Sequence, residues 1–347
     1  MKPPHVTWQT LDWGALDRMR QRFLGPQAGG DYWTSQEDLA NYDFTFAQRI
    51  GWKWDAVLRE LRARGWTPPP GRALVDWGCG SGMAGRRVLE FFGPEKFKRL
   101  EVFDRSAMAM EFAAGAAREV FRELQIGLME TAGSETGAPG EGGGLVLVVS
   151  HVLNELDEAG GRALRERIDA ADVVLWVEPG TCADSRGLIA MHEALRGQFV
   201  VVAPCTHQAG CGLRAPENGR QWCHHFAAPP SGLMADGDWV RFAQRAGIDL
   251  RSVPYSFLVL ERRGLRAPMS GAMPEGWSRL LGGTRIYKGY AKVLCCQAEG
   301  VNDLMLQKRD APELFKALKS GEAEPLQRCE RAGERIVKAE GFRHEVE

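Results

Sequence analysis

Two stretches of this chain carry residue types whose spacing points to chemistry. The first is Asp76-Trp77-Gly78-Cys79-Gly80-Ser81-Gly82. Glycines at alternate positions let a backbone approach a ligand where any Cβ would collide. Asp104, some twenty-eight residues after Asp76, adds an acid of the kind that reaches ribose hydroxyls at the carboxyl end of a second strand. The second stretch is Cys205-x5-Cys211-x11-Cys223, inside a Cys/His/Gly/Pro segment with little periodicity. Thiols so close together in irregular chain suggest a metal or cluster held by thiolates. Cys295 or Cys296 would supply a fourth, and only one of the two can face the site, because side chains alternate along a strand. Paired Cys-x-x-Cys knuckles are absent, which makes zinc the second choice. His207, His224 and His225 could each replace a thiolate as ligand, and are expected more often as hydrogen-bond donors around the thiolates. Cys79, Cys182 and Cys329 are expected to stand alone and to do no metal chemistry.

A third stretch, Ser150-His151-Val152-Leu153-Asn154-Glu155-Leu156, follows an apolar run and holds the catalytic candidates His151, Asn154 and Glu155. His151 and Glu155 are four residues apart, the spacing of an acid/base pair on a helical turn. No Asn/Asp-Pro-Pro-aromatic loop is present. Thr181-Cys182 and Pro204-Cys205 occur in the reverse of the order that a cytosine C5 thiolate mechanism uses. The stretch from Arg262 to Lys292 is basic: Arg262, Arg263, Arg266, Arg279, Arg285, Lys288 and Lys292 stand against the single acid Glu275. Trp277, Tyr287 and Tyr290 are interleaved among them, a composition suited to RNA, since cations neutralise phosphate and aromatics stack on bases.

These residues need elements to position them. Ala73–Trp77 reads as a buried strand feeding the glycine turn, Met83–Phe92 as a helix, Leu100–Phe103 as a strand ending at Asp104, and Ala107–Leu124 as a helix. Leu145–Val149 and Val173–Val177 are further apolar strands, separated by the helical Ala159–Ala170. Short apolar strands alternating with helices mean a parallel sheet covered on both faces. On such a sheet the tight glycine spacing, with Asp in front, resembles the S-adenosylmethionine site of class I methyltransferases more than a dinucleotide site. The cofactor-binding candidates are Asp76, Gly78, Cys79, Gly80, Ser81, Gly82, Asp104 and Ser150. Thr34-Ser35-Gln36-Glu37 has capping-box spacing, with Thr34 and Glu37 as the capping pair, and Thr67-Pro68-Pro69-Pro70-Gly71 ends the first helical region. Thr131–Gly144 reads as a solvent loop. The expected organisation is a helical region over 1–70 and an α/β, Rossmann-like doubly wound domain over 71–262, with a Cys-rich insertion at 204–230. A basic segment over 263–300 and a charged helical tail over 301–347 complete it.

The 347 residues suffice for about two domains at roughly 150 residues each. Lys and Arg total 44 and Asp and Glu 45, for a net charge of −1, so any contact with nucleic acid must come from a local patch. No apolar run approaches the ~20 residues of a membrane helix, and the N-terminus reads as neither export nor transit signal. The expectation is a monomeric, cytoplasmic protein of a bacterium, without membrane contact. Its eight cysteines would serve as thiols and ligands and not as disulfides.

At this point the residues match a family. The chain resembles the mitochondrial small-ribosomal-subunit methyltransferase-like proteins and their bacterial relatives, implicated in ribosome assembly. The resemblance runs from Asp31-Tyr32-Trp33-Thr34 to about Asp310. It is carried by Asp76–Gly82, Val152–Leu156, Val177-Glu178-Pro179-Gly180-Thr181, Ala203-Pro204-Cys205 to Cys211, and Trp222-Cys223-His224. It implies a class I methyltransferase fold with an inserted cysteine segment that binds a [4Fe–4S] cluster, zinc being the alternative. Carried over by position, the ligands are Cys205, Cys211, Cys223 and Cys296, whose short turn to Gly300 fits the family better than Cys295 does. Where family members have Cys-Pro at the second ligand, this chain has Cys211-Gly212, and where they have Glu-Arg-Gly it has Glu178-Pro179-Gly180. The implied partner is the small ribosomal subunit and its RNA. Three functions follow: S-adenosylmethionine-dependent methylation of that RNA, a non-catalytic RNA-binding assembly factor with structural cofactor sites, or a small-molecule methyltransferase with a structural zinc site.

Overall fold

The computed structural model describes residues 3–24, 33–130, 144–266, 271 and 273–342. Asp31, Tyr32 and nearly all of the stretch expected as a solvent loop, 131–143, lie outside the described residues. The chain begins with helices α1 (Trp13–Leu24), α2 (Gln36–Phe44) and α3 (Phe46–Ala63). Strands and helices then alternate: β1 (Arg72–Trp77), α4 (Met83–Phe92), β2 (Phe97–Phe103), α5 (Ala107–Val120), β3 (Ile126–Leu128), β4 (Leu145–Ser150), α6 (Glu158–Ala170), β5 (Val173–Pro179), α7 (Cys182–Leu195) and β6 (Phe199–Ala203). After β7 (His225–Ala227), α8 (Gly237–Ala246) and β8 (Val253–Arg262) come β9 (Trp277–Tyr287), β10 (Tyr290–Gln297), β11 (Gly300–Gln307), α9 (Pro312–Ser320), β12 (Leu326–Ala332) and β13 (Arg335–Gly341). They form two compact units. The first comprises Met1–Glu60, Thr67–Pro179 and Phe226–Tyr255; the second comprises Leu61–Trp66, Gly180–His225 and Ser256–Glu347.

In the first unit the strands lie in the order β3-β2-β1-β4-β5. All are parallel, with Val75 paired to Glu101 on one side and to Leu147 on the other. This is the α/β, class I methyltransferase (Rossmann-like) doubly wound fold. The strand order reverses at β1, so the loops leaving β1 and β4 diverge and open a crevice at their carboxyl ends. Helices α1 and α2, and α3 as far as Glu60, are part of this unit and not a separate region. Leu16 and Met19 of α1, Leu39 of α2, Phe112 of α5 and Phe242 of α8 share one buried cluster, and each such side chain contributes about 1.5–3 kcal/mol. Capping of α2 is shifted by one residue from expectation. Ser35 Oγ accepts from Asp38 N at 3.1 Å, and the Thr34 hydroxyl donates to the Asp38 carboxylate instead.

In the second unit β6 pairs antiparallel with β8, Val201 opposite Leu260. Strands β9 to β13 close a barrel in the order β10-β11-β13-β12-β9. Ala291, Val293, Cys295, Leu304, Leu306 and Ile336 fill it, and Leu314, Phe315 and Leu318 of α9 join the same core. The expected helical tail over 301–347 is therefore wrong: within it lie most of β11, then α9, β12 and β13. The physical reason is the barrel's small core. A single inward row of apolar residues suffices, and the charges on the outer face hide the two-residue period. No helix among the described residues is long and apolar enough to cross a membrane.

Candidate functional site

In the first unit, β1 hands the chain to the glycine turn and then to α4. Gly78 and Gly80 take φ of 71° and 50°. A Cβ on Gly78 would lie 2.5 Å from Val152 Cγ1, whereas one on Gly80 would meet nothing within 4 Å. The turn is tied to the end of β2: Gly78 N and Cys79 N both donate to Phe103 O, at 2.8 and 2.9 Å. Asp104 Oδ2 accepts from Gly80 N at 2.9 Å, and Oδ1 from Ser106 N at 3.0 Å. Beside them opens a cavity of about 660 Å³, within the size range of small-molecule sites. Gly78, Cys79, Gly80, Ser81, Asp104, Ser150, His151, Asn154 and Glu155 all line it.

Asp76 and Gly82, expected to touch a cofactor, are not among the lining residues. Asp76 is buried, and its Oδ2 accepts from Gly85 N at 2.9 Å. Burial pushes its carboxyl up to about 7. It thus serves an orphan amide in the first turn of α4. Gly82 packs on α5, where a Cβ would lie 2.8 Å from Ala113 Cβ.

The loop after β4 holds His151 at φ 59°, an uncommon conformation for a residue with a Cβ. Its backbone N donates to Val177 O at 2.9 Å. Glu178, fully buried at the end of β5, accepts from Val152 N (3.1 Å), Leu153 N (3.2 Å) and Trp176 Nε1 (2.7 Å), which fixes the turn that follows. Lys53 Nζ lies 2.8 Å from His151 Nε2, and Ser150 Oγ lies 3.1 Å from Nδ1 while accepting from Trp54 Nε1 at 3.0 Å. Burial, then Lys53 and Arg49, hold the His151 pKa well below its ordinary value. A lysine ammonium has no lone pair, so in this contact Nε2 accepts from Lys53, which leaves Nδ1–H to donate to Ser150 Oγ. Glu155 turns elsewhere, 3.7 Å from Arg105, so the expected His151–Glu155 pair does not form.

Sequence reasoning missed the wall that α3 supplies. Phe46, Arg49, Ile50 and Lys53 line the cavity at steps of three and four, which is one helix face. Two cations on an otherwise apolar stripe were the available signal. Arg49 Nε is buried with no hydrogen-bond partner among the described residues. Burial lowers its pKa, against the attraction of Asp249.

The second unit gathers the thiols. Cys296, Cys211 and Cys223 belong to one apolar cluster with Ile189, Leu213, Leu281 and Val301. Burial raises the Cys296 thiol well above its ordinary pKa, and so, in turn, do Cys205, Cys223 and Cys211 beside it. Cys205 is pushed up to about 12 by burial and by Cys211. Cys295 points the other way, into the barrel. There its thiol donates to Cys329, which raises its own pKa and lowers that of Cys329. Cys329, expected to stand alone, is therefore partnered by Cys295. His207 Nε2 lies 3.7 Å from Cys296 Sγ and His225 Nε2 3.6 Å from Cys223 Sγ, while His224 stacks on Trp222 at 4.7 Å. No three Cys, His, Asp or Glu side chains among the described residues close around a single-ion position.

The irregular segment is scaffolded by side chains from the elements around it. Arg186 of α7 donates to four carbonyls, those of Leu213 (2.9 Å), Asn218 (2.9 Å), Gly219 (3.2 Å) and Gln221 (2.5 Å). Ser185 and Ser256 donate to Cys223 O at 2.8 and 2.7 Å. Arg64 donates to Cys205 O at 3.0 Å and to Pro204 O at 2.9 Å. Gly212 has a reason too: a Cβ there would lie 2.8 Å from Gly300 Cα and from Val301 N.

The expected RNA-contact residues divide. Arg279 is 2% exposed, donates to Pro204 O at 2.6 Å and stacks over Phe257, so it is structural and not an RNA contact. Arg266 pairs with the buried Glu261, Arg263 donates to Arg196 O at 2.9 Å, and Arg262 lies over the Phe199 ring. Arg285, Lys288 and Lys292 lie on the barrel, the first two exposed.

No curated protein sequence matches the chain. Among solved structures it is similar to magnesium protoporphyrin IX methyltransferase from Synechocystis with bound S-adenosylmethionine. Identity is 15% over 74% of this chain and 98% of that one, with a TM-score of 0.37. An S-adenosylmethionine-dependent methyltransferase from Aquifex aeolicus is 14% identical over 44% of this chain and 84% of that one, with a TM-score of 0.34. The family model of the mitochondrial small ribosomal subunit protein Rsm22 matches residues 47–323. With its doubly wound sheet and glycine turn inside that span, the chain belongs to the mitochondrial small ribosomal subunit Rsm22 family.

Proposed function

We propose that this chain binds S-adenosylmethionine in the cavity of the first unit and a [4Fe–4S] cluster on the cysteines of the second, and that it acts on or binds small-subunit ribosomal RNA during ribosome assembly. The polarity of the cavity carries the cofactor reading. Asp104, fastened to the glycine turn, lies in one wall, and Arg49 and Lys53 lie in the wall that α3 supplies. A nucleoside bearing an amino-acid tail fits that division: its ribose hydroxyls donate to the carboxylate, and its own carboxylate meets Arg49, whose Nε lacks a partner among the described residues. Bound there, the cofactor supplies an electrophilic methyl group. The chain orients the acceptor through the Ser150–Leu156 loop, which Glu178 fixes from below.

One observation favours a second reading, an assembly factor that binds the cofactor without transferring the methyl. The lone pair of His151 Nε2 is engaged by Lys53, and Glu155 is held by Arg105. Neither is poised to take a proton from an acceptor.

Cys205, Cys211, Cys223 and Cys296 would hold the cluster. The donor set is all sulfur, as in cysteine-ligated clusters, and Cys205, Cys211 and Cys223 lie beside Cys296. Zinc is the alternative occupant. Anaerobically purified protein is expected to carry iron and sulfide and to absorb near ~400 nm; zinc without sulfide contradicts the cluster.

Methyl-labelled S-adenosylmethionine, incubated with the protein and small ribosomal subunits, separates the two functional readings. Label in the RNA means transfer, and label retained only by the protein means binding alone. No retention contradicts both.

A further inference from the structure

We propose that the Lys288–Gly289 end of the outer face of barrel strands β9, β10 and β11 binds single-stranded nucleic acid, stacking unpaired bases on Tyr287 and Tyr290. The proposal rests on the reading that the chain meets ribosomal RNA, and it names the place and the strandedness. Numbered in chain order, the barrel strands neighbour one another as 1-2-3-5-4-1. A helix, α9, intervenes between the third and fourth strands, and the third runs parallel to the fifth. This is a five-stranded Greek-key barrel of the oligonucleotide-binding kind, in which the face of strands two and three and the loops 1–2 and 4–5 form the binding surface. Here these are β10, β11, the turn Lys288–Gly289 and the turn Gly333–Glu334. Both turns are fastened to β11 or the residue after it. Lys308 N donates to Gly289 O at 3.0 Å, and Met305 N donates to Glu334 O at 2.9 Å.

At that end of the barrel Tyr287 and Tyr290 are directly opposed across β9 and β10. Their rings are parallel, 4.7 Å apart and 8° from coplanar, and Tyr287 is 44% exposed. Each ring holds the other in place, so the stack presents a flat aromatic surface to solvent at little further entropic cost. Two residues along the strands, Arg285 opposes Lys292 on the same face. Lys288 occupies the turn and Lys308 follows β11. The acid on this face, Asp303, pairs with Arg285. Aromatics flanked by cations match a nucleic acid whose bases are unpaired: the rings stack on the bases and the cations follow the phosphates. A duplex covers its base faces and would find only the charges.

The test uses the full chain, an unstructured 12-nucleotide RNA and a duplex of equal length, with fluorescence anisotropy over a salt series. Wild type should bind the single strand more tightly. Tyr287→Leu with Tyr290→Leu should weaken it roughly 5–100-fold, while Tyr287→Phe with Tyr290→Phe retains it. Lys288→Ala with Lys292→Ala should reduce the slope of log K against log salt by up to ~0.7 for each phosphate that is no longer neutralised. Unchanged affinity in the leucine variant, or a preference for duplex, overturns the proposal while leaving RNA binding by the chain intact. If wild type binds neither the oligonucleotide nor small-subunit RNA, the underlying reading fails with it.

Discussion

Asp76 heads the glycine motif, yet its carboxylate turns inward to Gly85 N and away from the cavity. Burial raises its pKa from 3.8 to about 7, so the folded protein keeps a proton there that the unfolded chain has released. Its stabilising contribution is present in full below about 4 and is lost as pH rises through about 7. Asp76→Asn mimics the protonated form, so its melting temperature should fall less than that of wild type between about pH 4 and pH 7.5. Equal pH dependence in both proteins would sink the assignment. His151 offers the converse case. Lys53→Met removes a cation that depresses the imidazole, and the His151 pKa followed by NMR should rise; no change would mean that burial and Arg49 set it without Lys53. At this scale the sequence revealed the glycine spacing and the acids, because those are local patterns. It concealed Arg49 and Lys53, whose role depends on which face of α3 meets the cavity. It also concealed the pairing of Cys295 with Cys329, which only barrel closure creates.

Among the elements, the Cys-rich segment over 204–230 shows little periodicity in sequence. The structure gives it a scaffold of its own, centred on Arg186 and its four carbonyl partners. Arg186→Ala leaves those carbonyls short of a donor and should cost about 2–4 kcal/mol in denaturant unfolding, with Arg186→Lys recovering little, because an ammonium cannot span the fork. A loss below about 0.5 kcal/mol would show that the scaffold is not needed. Gly212→Ala should cost about 1–3 kcal/mol, since the new methyl meets the backbone of Gly300 and Val301, which has no rotamer with which to yield. Neutral behaviour in the same assay contradicts that close approach. The parallel strands were legible, since burial on both faces leaves unbroken apolar runs such as Leu145–Val149. The barrel strands were not: β12 and β13 each carry charge at three of seven positions and read as a solvated helix.

Across the whole molecule, what the sequence identified was the doubly wound unit and the family; what it misjudged were the ends. The N-terminal helices contribute Arg22, Tyr42 and Lys53 to the cavity wall, although their pattern alone shows only amphipathic helix. The basic stretch proved to be several things, because Arg279 is buried among carbonyls and aromatics while Arg285 and Lys288 face solvent. Charge counts in sequence do not distinguish a cation that satisfies backbone from one that awaits phosphate. The central claim is that the first unit is a built S-adenosylmethionine site, with Asp104 on the ribose and Arg49 on the carboxylate. Isothermal calorimetry of the full chain with S-adenosylmethionine tests it most directly. Wild type should bind, and Asp104→Ala and Arg49→Ala should each weaken binding by about 1–3 kcal/mol, roughly 5–150-fold. No binding by wild type, or the same affinity in all three proteins, would contradict it.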